Sequence, residues 1–198
     1  AYISLAFHIH LEKLFVMKNF FDQNQYEKEK ENYSRLKFYH PNVIKCYGYT
    51  KNSLIIEFMC NGTLQNFLEM KSKSKKDSFF IHWVSPVVLY SSTQYFHDFR
   101  FEFFDNQANK MKIIIEIFFG LSYLHLNDMI YCDFKPDNIF IDHNFLIHFG
   151  DFDLSCRNEF LASKSKKLKD IGTNEYFSPD ILIDDDCDYT YNSDIFQV

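Results

Sequence analysis

Clustered glycines, long apolar runs and paired cysteines are what this sequence of 198 residues most clearly lacks. Its five glycines stand far apart, so the sequence contains no glycine cluster of the kind that cradles phosphate groups. No apolar stretch reaches the roughly 18 residues of a membrane-spanning helix. We also expect no secretory leader at this start. These absences predict a protein without a membrane partner, with the cytoplasm as its default compartment.

The cysteines and the charge balance exclude further classes of protein. The five cysteines are odd in number and form no C-x-x-C pair, so a zinc site is not indicated and a reducing compartment is the simplest setting. A net charge of −6 and a pI near 5.7 leave no basic face for nucleic acid. Three segments rich in charged residues are interpreted as solvent-exposed loops: 71–76, 164–169 and 184–188.

The most informative segment is 131–138, which reads Tyr-Cys-Asp-Phe-Lys-Pro-Asp-Asn. It holds a carboxylate at Asp133, an ammonium group at Lys135 and a carboxamide at Asn138, around a proline that stiffens the turn. Phosphoryl transfer depends on positioning and charge stabilisation. A carboxylate can orient an attacking hydroxyl, an ammonium group can neutralise the γ-phosphate, and a carboxamide can ligate Mg²⁺. The three groups together therefore suit phosphoryl transfer.

This segment resembles the catalytic loop of eukaryotic protein kinases, His-Arg-Asp-Leu-Lys-Pro-x-Asn. Three further segments match the family in order. Asp151-Phe152-Asp153 stands where the family has Asp-Phe-Gly, whose Asp binds Mg²⁺. Residues 172–180 resemble the end of the activation loop, where Thr173 is expected to buttress Asp133. Residues 193–196 resemble the start of a helix whose Asp braces the catalytic loop.

The amino-terminal part carries a weaker resemblance. Phe15-Val16-Met17-Lys18 is similar to the third-strand Val-Ala-x-Lys, in which the lysine holds the α- and β-phosphates of ATP. Two glutamates compete as its acidic partner. The spacing back from His40 gives Glu31, whereas helix phase favours Glu29, which shares a face with Tyr33. We favour Glu29, because that face points into the cleft.

The resemblance extends to a hinge at residues 58–60. Residues 54–59, Leu-Ile-Ile-Glu-Phe-Met, are similar to the fifth strand of the family and the hinge that follows it. In that alignment Ile56 is the gatekeeper, and the backbones of Glu57 and Met59 bind adenine. Val16 is expected to contact the nucleotide as well.

The family implies an α+β, bilobal fold that is truncated at both ends, with a small antiparallel-sheet lobe and a mainly helical large lobe. We assign 1–57 to the small lobe and 61–198 to part of the large lobe. An insertion at about 77–105 could be family-specific, an interaction surface or translated non-coding sequence. Helices are expected from 61 and over 110–126, and a hairpin turn at 142–144. The expected apolar face of the second helix comprises Met111, Ile114, Ile115, Ile117, Phe118, Leu121 and Leu124.

The implied activity is transfer of the γ-phosphoryl group of ATP, with Mg²⁺ held by Asn138 and Asp151, to a Ser or Thr hydroxyl of a protein. Four positions depart from the family pattern: Tyr131, Cys132, Phe140 and Asp153. The glycine-rich loop is also missing. Two alternatives therefore stay open: a pseudokinase that binds partners without phosphoryl transfer, and a non-functional fragment.

Overall fold

The computed structural model describes residues 1–72, 103, 106–157, 176–183 and 189–198. Several predictions lie outside this part of the chain. They concern the insertion at 77–105 apart from Phe103, the segment 158–175 with Thr173, and the acidic run at 184–188.

The amino-terminal part is a four-stranded antiparallel sheet of order β1-β2-β4-β3. Its strands are β1 (Tyr2–His8), β2 (Lys13–Asn19), β3 (Cys46–Tyr49) and β4 (Ser53–Glu57). The register between β2 and β4 places Val16 opposite Ile56 and Lys18 opposite Leu54. The expected antiparallel sheet with one helix is confirmed.

Helix α1 (Gln23–Arg35) shares the core cluster with the sheet and begins at a polar cap. The Asp22 carboxylate accepts a hydrogen bond from the backbone N–H of Asn24 at 2.8 Å, which satisfies one of the free donors at the helix start. The buried side chains recur every three or four residues along the helix and form one stripe: Tyr26, Glu29, Asn32 and Tyr33. Two of these four are polar, so the stripe brings functional groups into the interior.

Two further helices follow, α2 (Leu64–Ser72) and α3 (Gln107–Leu126). The predicted apolar face of α3 is wrong in part. Ile117, Leu121 and Leu124 are buried as expected, together with Ile113, which the prediction omitted. The other four predicted members are exposed: Met111, Ile114, Ile115 and Phe118. The helix is apolar on nearly all sides, so the spacing of its apolar residues could not single out the packed face.

The carboxyl-terminal half adds short strands and helices around the candidate site. Strands β6 (Ile139–Ile141) and β7 (Ile147–Phe149) pair as a hairpin, as predicted. Strand β5 (Met129–Ile130) pairs with β8 (Cys156–Arg157). Helices α4 (Pro179–Ile183) and α5 (Tyr191–Gln197) complete the described part.

One apolar cluster joins the sheet, α1, α3 and the β6–β7 hairpin. Leu54, Leu124 and Ile139 in this cluster have no exposed surface, and Tyr26 and Leu121 have almost none. Burial of large apolar side chains is the main favourable contribution to folding, so this cluster fixes the sheet against the hairpin. Among the described helices, none combines the length and apolar character needed to cross a membrane.

Candidate active site

Lys18 joins two segments that are far apart in the sequence. Its Nζ lies 2.7 Å from Glu29 Oε2 on α1 and 2.6 Å from Asp151 Oδ1, which follows β7 closely. The Lys18 side chain is mostly buried, and that of Glu29 is almost wholly buried. The structure therefore pairs Lys18 with Glu29, whereas Glu31 bonds to Arg35 on the same helix.

The charged side chains around Lys18 shift one another's pKa values. Burial lowers the pKa of Lys18, but the carboxylates of Glu29 and Asp151 outweigh that effect and the net shift is upward. Burial raises the pKa of Glu29 from 4.5 to about 7, although Lys18 opposes the rise. The second oxygen of Glu29, Oε1, is buried without a hydrogen-bond partner, which also disfavours the ionised form.

Glu29→Gln should remove a pH dependence of stability. Between pH 4.5 and about 7 the folded state keeps a proton on Glu29 that the unfolded chain has released, so the free energy of unfolding falls as pH rises. Relative to Glu29→Gln, the wild-type protein should lose up to about 3 kcal/mol across this window. The measurement is urea unfolding at several pH values, without nucleotide or metal.

The matched control for this experiment is Glu31→Gln, which changes an exposed glutamate on the same helix. It should leave the wild-type pH dependence intact. Parallel pH profiles for wild-type protein and Glu29→Gln would contradict a raised pKa at Glu29.

The catalytic-loop side chains lie together beside the β6–β7 hairpin. The Asp133 carboxylate is buried and contacts Lys135 Nζ at 2.7 Å through Oδ2. The same oxygen accepts a hydrogen bond from Asn138 Nδ2 at 2.8 Å, and the Asp133 carbonyl accepts another at 3.0 Å. A turn of 3-10 helix at Pro136–Asn138 brings Asn138 back to Asp133. One carboxylate, one ammonium group and one carboxamide are thus held as a unit.

Asp151 occupies a tight turn directly after β7. Its backbone has a φ of 57°, in the left-handed region that side-chain-bearing residues rarely adopt. The preceding Gly150 is packed so closely that an added Cβ would lie 2.6 Å from Ile44 Cδ1 and 2.8 Å from the Phe140 ring. A Cβ at this position would therefore force the Ile44 and Phe140 side chains to move.

Two carboxylates stand in this turn where the family pattern has one. Burial, and then the neighbouring charge of Asp151, raises the pKa of Asp153 above its usual value. The Asp151 side chain keeps more than a third of its surface exposed, whereas Glu29 beside Lys18 is enclosed. Asp151 is thus the carboxylate of the Lys18 pair that a ligand in the cleft can reach.

Asn32 ties this turn to α1. Its Nδ2 donates hydrogen bonds to the carbonyl oxygens of Phe152 at 2.7 Å and Ser155 at 3.0 Å. Asn32 was not predicted as a site residue. Its position three residues after Glu29 places it on the buried stripe, and that spacing was the available signal.

Tyr131 fills the position where the family has histidine. Its ring is wholly buried and packs edge-on against Phe149 and Phe152, with centroids 5.2 and 5.7 Å away. Its hydroxyl donates a hydrogen bond to the carbonyl oxygen of Gly150. Tyr131 therefore provides the aromatic packing and also a polar link to the turn that carries Asp151.

Asp194 on α5 holds the backbone of the catalytic loop. Its carboxylate accepts hydrogen bonds from the backbone N–H groups of Tyr131 and Cys132, each at 2.8 Å. The same carboxylate lies 2.8 Å from Nε2 of His125 at the end of α3. Asp194 is wholly buried, so these contacts replace the water that the charge would otherwise need. The predicted bracing of the loop by this residue is confirmed, while the part played by His125 was not foreseen.

The residues predicted to form a hinge, 58–60, directly follow the end of β4. Glu57 pairs with Phe15 on β2, and its backbone N–H donates to the carbonyl of Lys45 at 2.9 Å. Met59 is buried, and its carbonyl accepts a hydrogen bond from Gly62. Val16 lies opposite Ile56, two residues before Lys18 on β2. Val16 and Lys18 are two residues apart on β2, an inner strand, so their side chains lie on the same face of the sheet.

The oxygen ligands near Asp151 suit Mg²⁺. Both side-chain hydrogen bonds of Asn138 are donated by Nδ2, which leaves its oxygen to ligate a cation. Mg²⁺ is usually held by one or two carboxylates together with phosphate oxygens. Within the described ranges no group of three or more His, Cys, Asp or Glu residues could hold a metal unaided. The residues present therefore fit a cation that arrives with phosphate groups.

Comparison with known proteins agrees with this geometry. A family model described as "Protein kinase domain" matches residues 1–198. The serine/threonine-protein kinase RUNKEL of Arabidopsis thaliana is 27% identical over 161 residues, which are 79% of this chain and 9% of that kinase. Calcium-dependent protein kinase 4 of Plasmodium berghei (strain Anka) is 34% identical over 123 residues, 57% of this chain and 22% of that kinase.

An Aurora kinase of Debaryomyces hansenii is 26% identical over 172 residues, covering 85% of this chain and 34% of that kinase. In these three comparisons the chain therefore spans between about a tenth and a third of the relative's length.

Proposed function

Because this chain belongs to the protein kinase family, we propose that it transfers the γ-phosphoryl group of ATP to serine or threonine hydroxyls of protein substrates. The observation that carries the proposal is the convergence of two clusters at the end of β7. One is the Lys18–Glu29–Asp151 group, and the other is the unit of Asp133, Lys135 and Asn138. A protein that only binds partners has no chemical need for both of these clusters.

Asp133 is proposed to orient the substrate hydroxyl and to accept its proton. Its carboxylate contacts Asn138 and Lys135, so rotation of the side chain away from the cleft would break both contacts. A positioned base of this kind acts when it lies within hydrogen-bond reach of the proton that it removes. Lys135, beside it, is proposed to balance negative charge on the migrating phosphoryl group.

Lys18 is proposed to bind the α- and β-phosphates of ATP, with Glu29 fixing its ammonium group. Asn138 and Asp151 are proposed to hold Mg²⁺, which neutralises phosphate charge when bound. Lys18 now contacts Asp151 directly, so a bound phosphate would share the ammonium group with that carboxylate. The backbones of Glu57 and Met59, with Val16 nearby, are proposed to hold adenine.

The preference for serine or threonine rests on Lys135, which stands two residues after Asp133 as in the serine/threonine class of the family. One relative named above, RUNKEL of Arabidopsis thaliana, is a serine/threonine-protein kinase, which supports this class. We propose the division into a small lobe at 1–57, a hinge at 58–60 and part of a large lobe at 61–198. The cytoplasm is the proposed compartment, because the cysteine spacing indicates a reducing one.

Lys18→Met should abolish measurable transfer from γ-labelled ATP·Mg²⁺ to a mixed protein substrate. Methionine is also unbranched and only one atom shorter than lysine, but it lacks the charge that is proposed to bind the phosphates. Loss of one such preorganised charge typically lowers the rate about 100-fold or more. The measurement is incorporation of label, together with ATP affinity by calorimetry.

Lys37→Met is the matched control, since Lys37 is exposed just beyond α1 and lies outside the site. It should transfer label at the wild-type rate. Undiminished transfer by Lys18→Met would refute the role given to Lys18.

A further inference from the structure

Two cysteines meet at the base of the candidate site. The Sγ atoms of Cys132 and Cys156 lie 3.4 Å apart, and neither residue is in a disulfide. Cys132 immediately precedes Asp133, and Cys156 is the first residue of β8, just after the turn that carries Asp151. The pair therefore connects the catalytic loop with the strand that follows the proposed metal-binding turn.

Backbone contacts on both sides hold the two thiols together. Cys156 lies opposite Ile130 in the β5–β8 pair. The Ser155 hydroxyl donates to the carbonyl of Tyr131 at 3.1 Å, and the Cys132 N–H donates to Asp194 at 2.8 Å. The close approach of the sulfur atoms is thus imposed by three contacts that do not involve them.

The two thiols differ in access and in ionisation. Cys132 is wholly buried, whereas Cys156 is partly exposed. A hydrogen bond from Cys132 lowers the pKa of the Cys156 thiol, and burial raises that of Cys132. The thiolate is the reactive form of cysteine. Cys156 therefore has the exposure and the thiolate character of an attacking residue, and Cys132 is a neighbour placed to react next.

We propose that Cys132 and Cys156 are a redox modification site, which a hydroperoxide converts to an intramolecular disulfide between the catalytic loop and β8. This inference does not rest on phosphoryl transfer. It requires only the two sulfur atoms at the distance that the fold gives them.

The chemistry proceeds in two balanced steps. The Cys156 thiolate attacks one oxygen of the hydroperoxide, so the O–O bond breaks, sulfenic acid forms and an alcohol or water leaves. The sulfur of Cys132 then displaces the sulfenic hydroxyl, and its thiol proton leaves with that hydroxyl as water. The two thiols lose two electrons and two protons in total, and the hydroperoxide is reduced by the same two electrons. A thiol reductant restores both cysteines.

The test is peptide mapping of the reduced full chain after brief exposure to hydrogen peroxide, with unreacted thiols blocked before digestion. We expect a cross-linked peptide that joins Cys132 to Cys156 and disappears on treatment with dithiothreitol. It should form about tenfold faster than Cys46 is oxidised, since burial raises the pKa of the Cys46 thiol and so disfavours its reactive thiolate.

Two variants separate the roles of the thiols. In Cys132→Ser the sulfenic acid of Cys156 should persist and be trapped by dimedone, because the thiol that Cys156 contacts has been removed. In Cys156→Ser, a substitution at a partly exposed position, Cys132 should stay unmodified because it is buried.

Three results would overturn the proposal. One is oxidation of Cys156 to sulfinic acid without any cross-link. The second is a disulfide from Cys156 to another cysteine in preference to Cys132. The third is oxidation of Cys132 in Cys156→Ser as fast as in the wild-type protein. All three readouts are independent of kinase activity, so failure here is distinguishable from failure of the proposed function.

Discussion

Asp133→Asn is expected to lower kcat for phosphoryl transfer about a thousandfold, because an amide cannot accept the proton of the attacking hydroxyl. Asparagine has nearly the same shape as aspartate. The substitution therefore leaves no cavity beside Lys135 and Asn138, although it changes the contacts with them. ATP affinity should change little, since Asp133 is not assigned to the nucleotide. Steady-state transfer of label, with affinity measured separately, distinguishes the two quantities.

Asp137→Asn provides the matched control. Asp137 lies in the same loop, four residues after Asp133, but its side chain is exposed. The variant should keep the wild-type kcat, which shows that a loss at Asp133 does not arise from the loop's total charge. Equal activity of Asp133→Asn and the wild-type protein would remove Asp133 from the mechanism.

Asp194→Ala is expected to destabilise the fold by about 4 kcal/mol. The change leaves the buried N–H groups of Tyr131 and Cys132 without an acceptor, and His125 without its carboxylate. Each unsatisfied buried polar group costs roughly 1–3 kcal/mol. Urea unfolding, followed by circular dichroism, gives the difference in free energy of unfolding.

Asn192→Ala is the control for this loss, because Asn192 lies on the exposed side of the same helix, α5. Its effect should stay within about 0.5 kcal/mol. A similarly small effect for Asp194→Ala would mean that the loop backbone finds other acceptors and that Asp194 does not brace it.

Local sequence patterns predicted features that lie within a single helix or hairpin. The helix phase of α1 favoured Glu29 over Glu31, and the structure places Glu29 against Lys18. The hairpin at 142–144 followed from turn-forming residues between two apolar runs. In both cases the signal lies within a few neighbouring residues, where backbone geometry fixes which side chains share a face.

Periodicity failed where an element is apolar on several sides. Four of the seven residues predicted on the buried face of α3 are exposed, and Ile113 is buried in addition. A polar residue, Glu116, also faces inward, because its carboxylate accepts a hydrogen bond from the backbone of Ile147 at 3.1 Å. Which side of such a helix packs depends on its neighbours in the fold, and the helix sequence alone does not contain that information.

Three contacts between distant segments were not predicted from the sequence. Lys18 was expected to meet a glutamate, but its simultaneous contact with Asp151 depends on how the sheet approaches the β6–β7 hairpin. The same holds for Asn32 against Phe152, and for Cys132 against Cys156. The resemblance to kinases predicted the individual groups, whereas these pairings depend on how distant segments pack in the fold.

The measurement that tests the central claim most directly is phosphoamino-acid analysis after incubation of the folded chain with γ-labelled ATP·Mg²⁺ and a mixed protein substrate. We predict label in phosphoserine and phosphothreonine, and none when Asp133→Asn is used instead. A folded chain that binds ATP·Mg²⁺ and transfers no label would contradict the enzymatic account and favour a kinase-like scaffold. Label confined to phosphotyrosine would contradict the proposed substrate class.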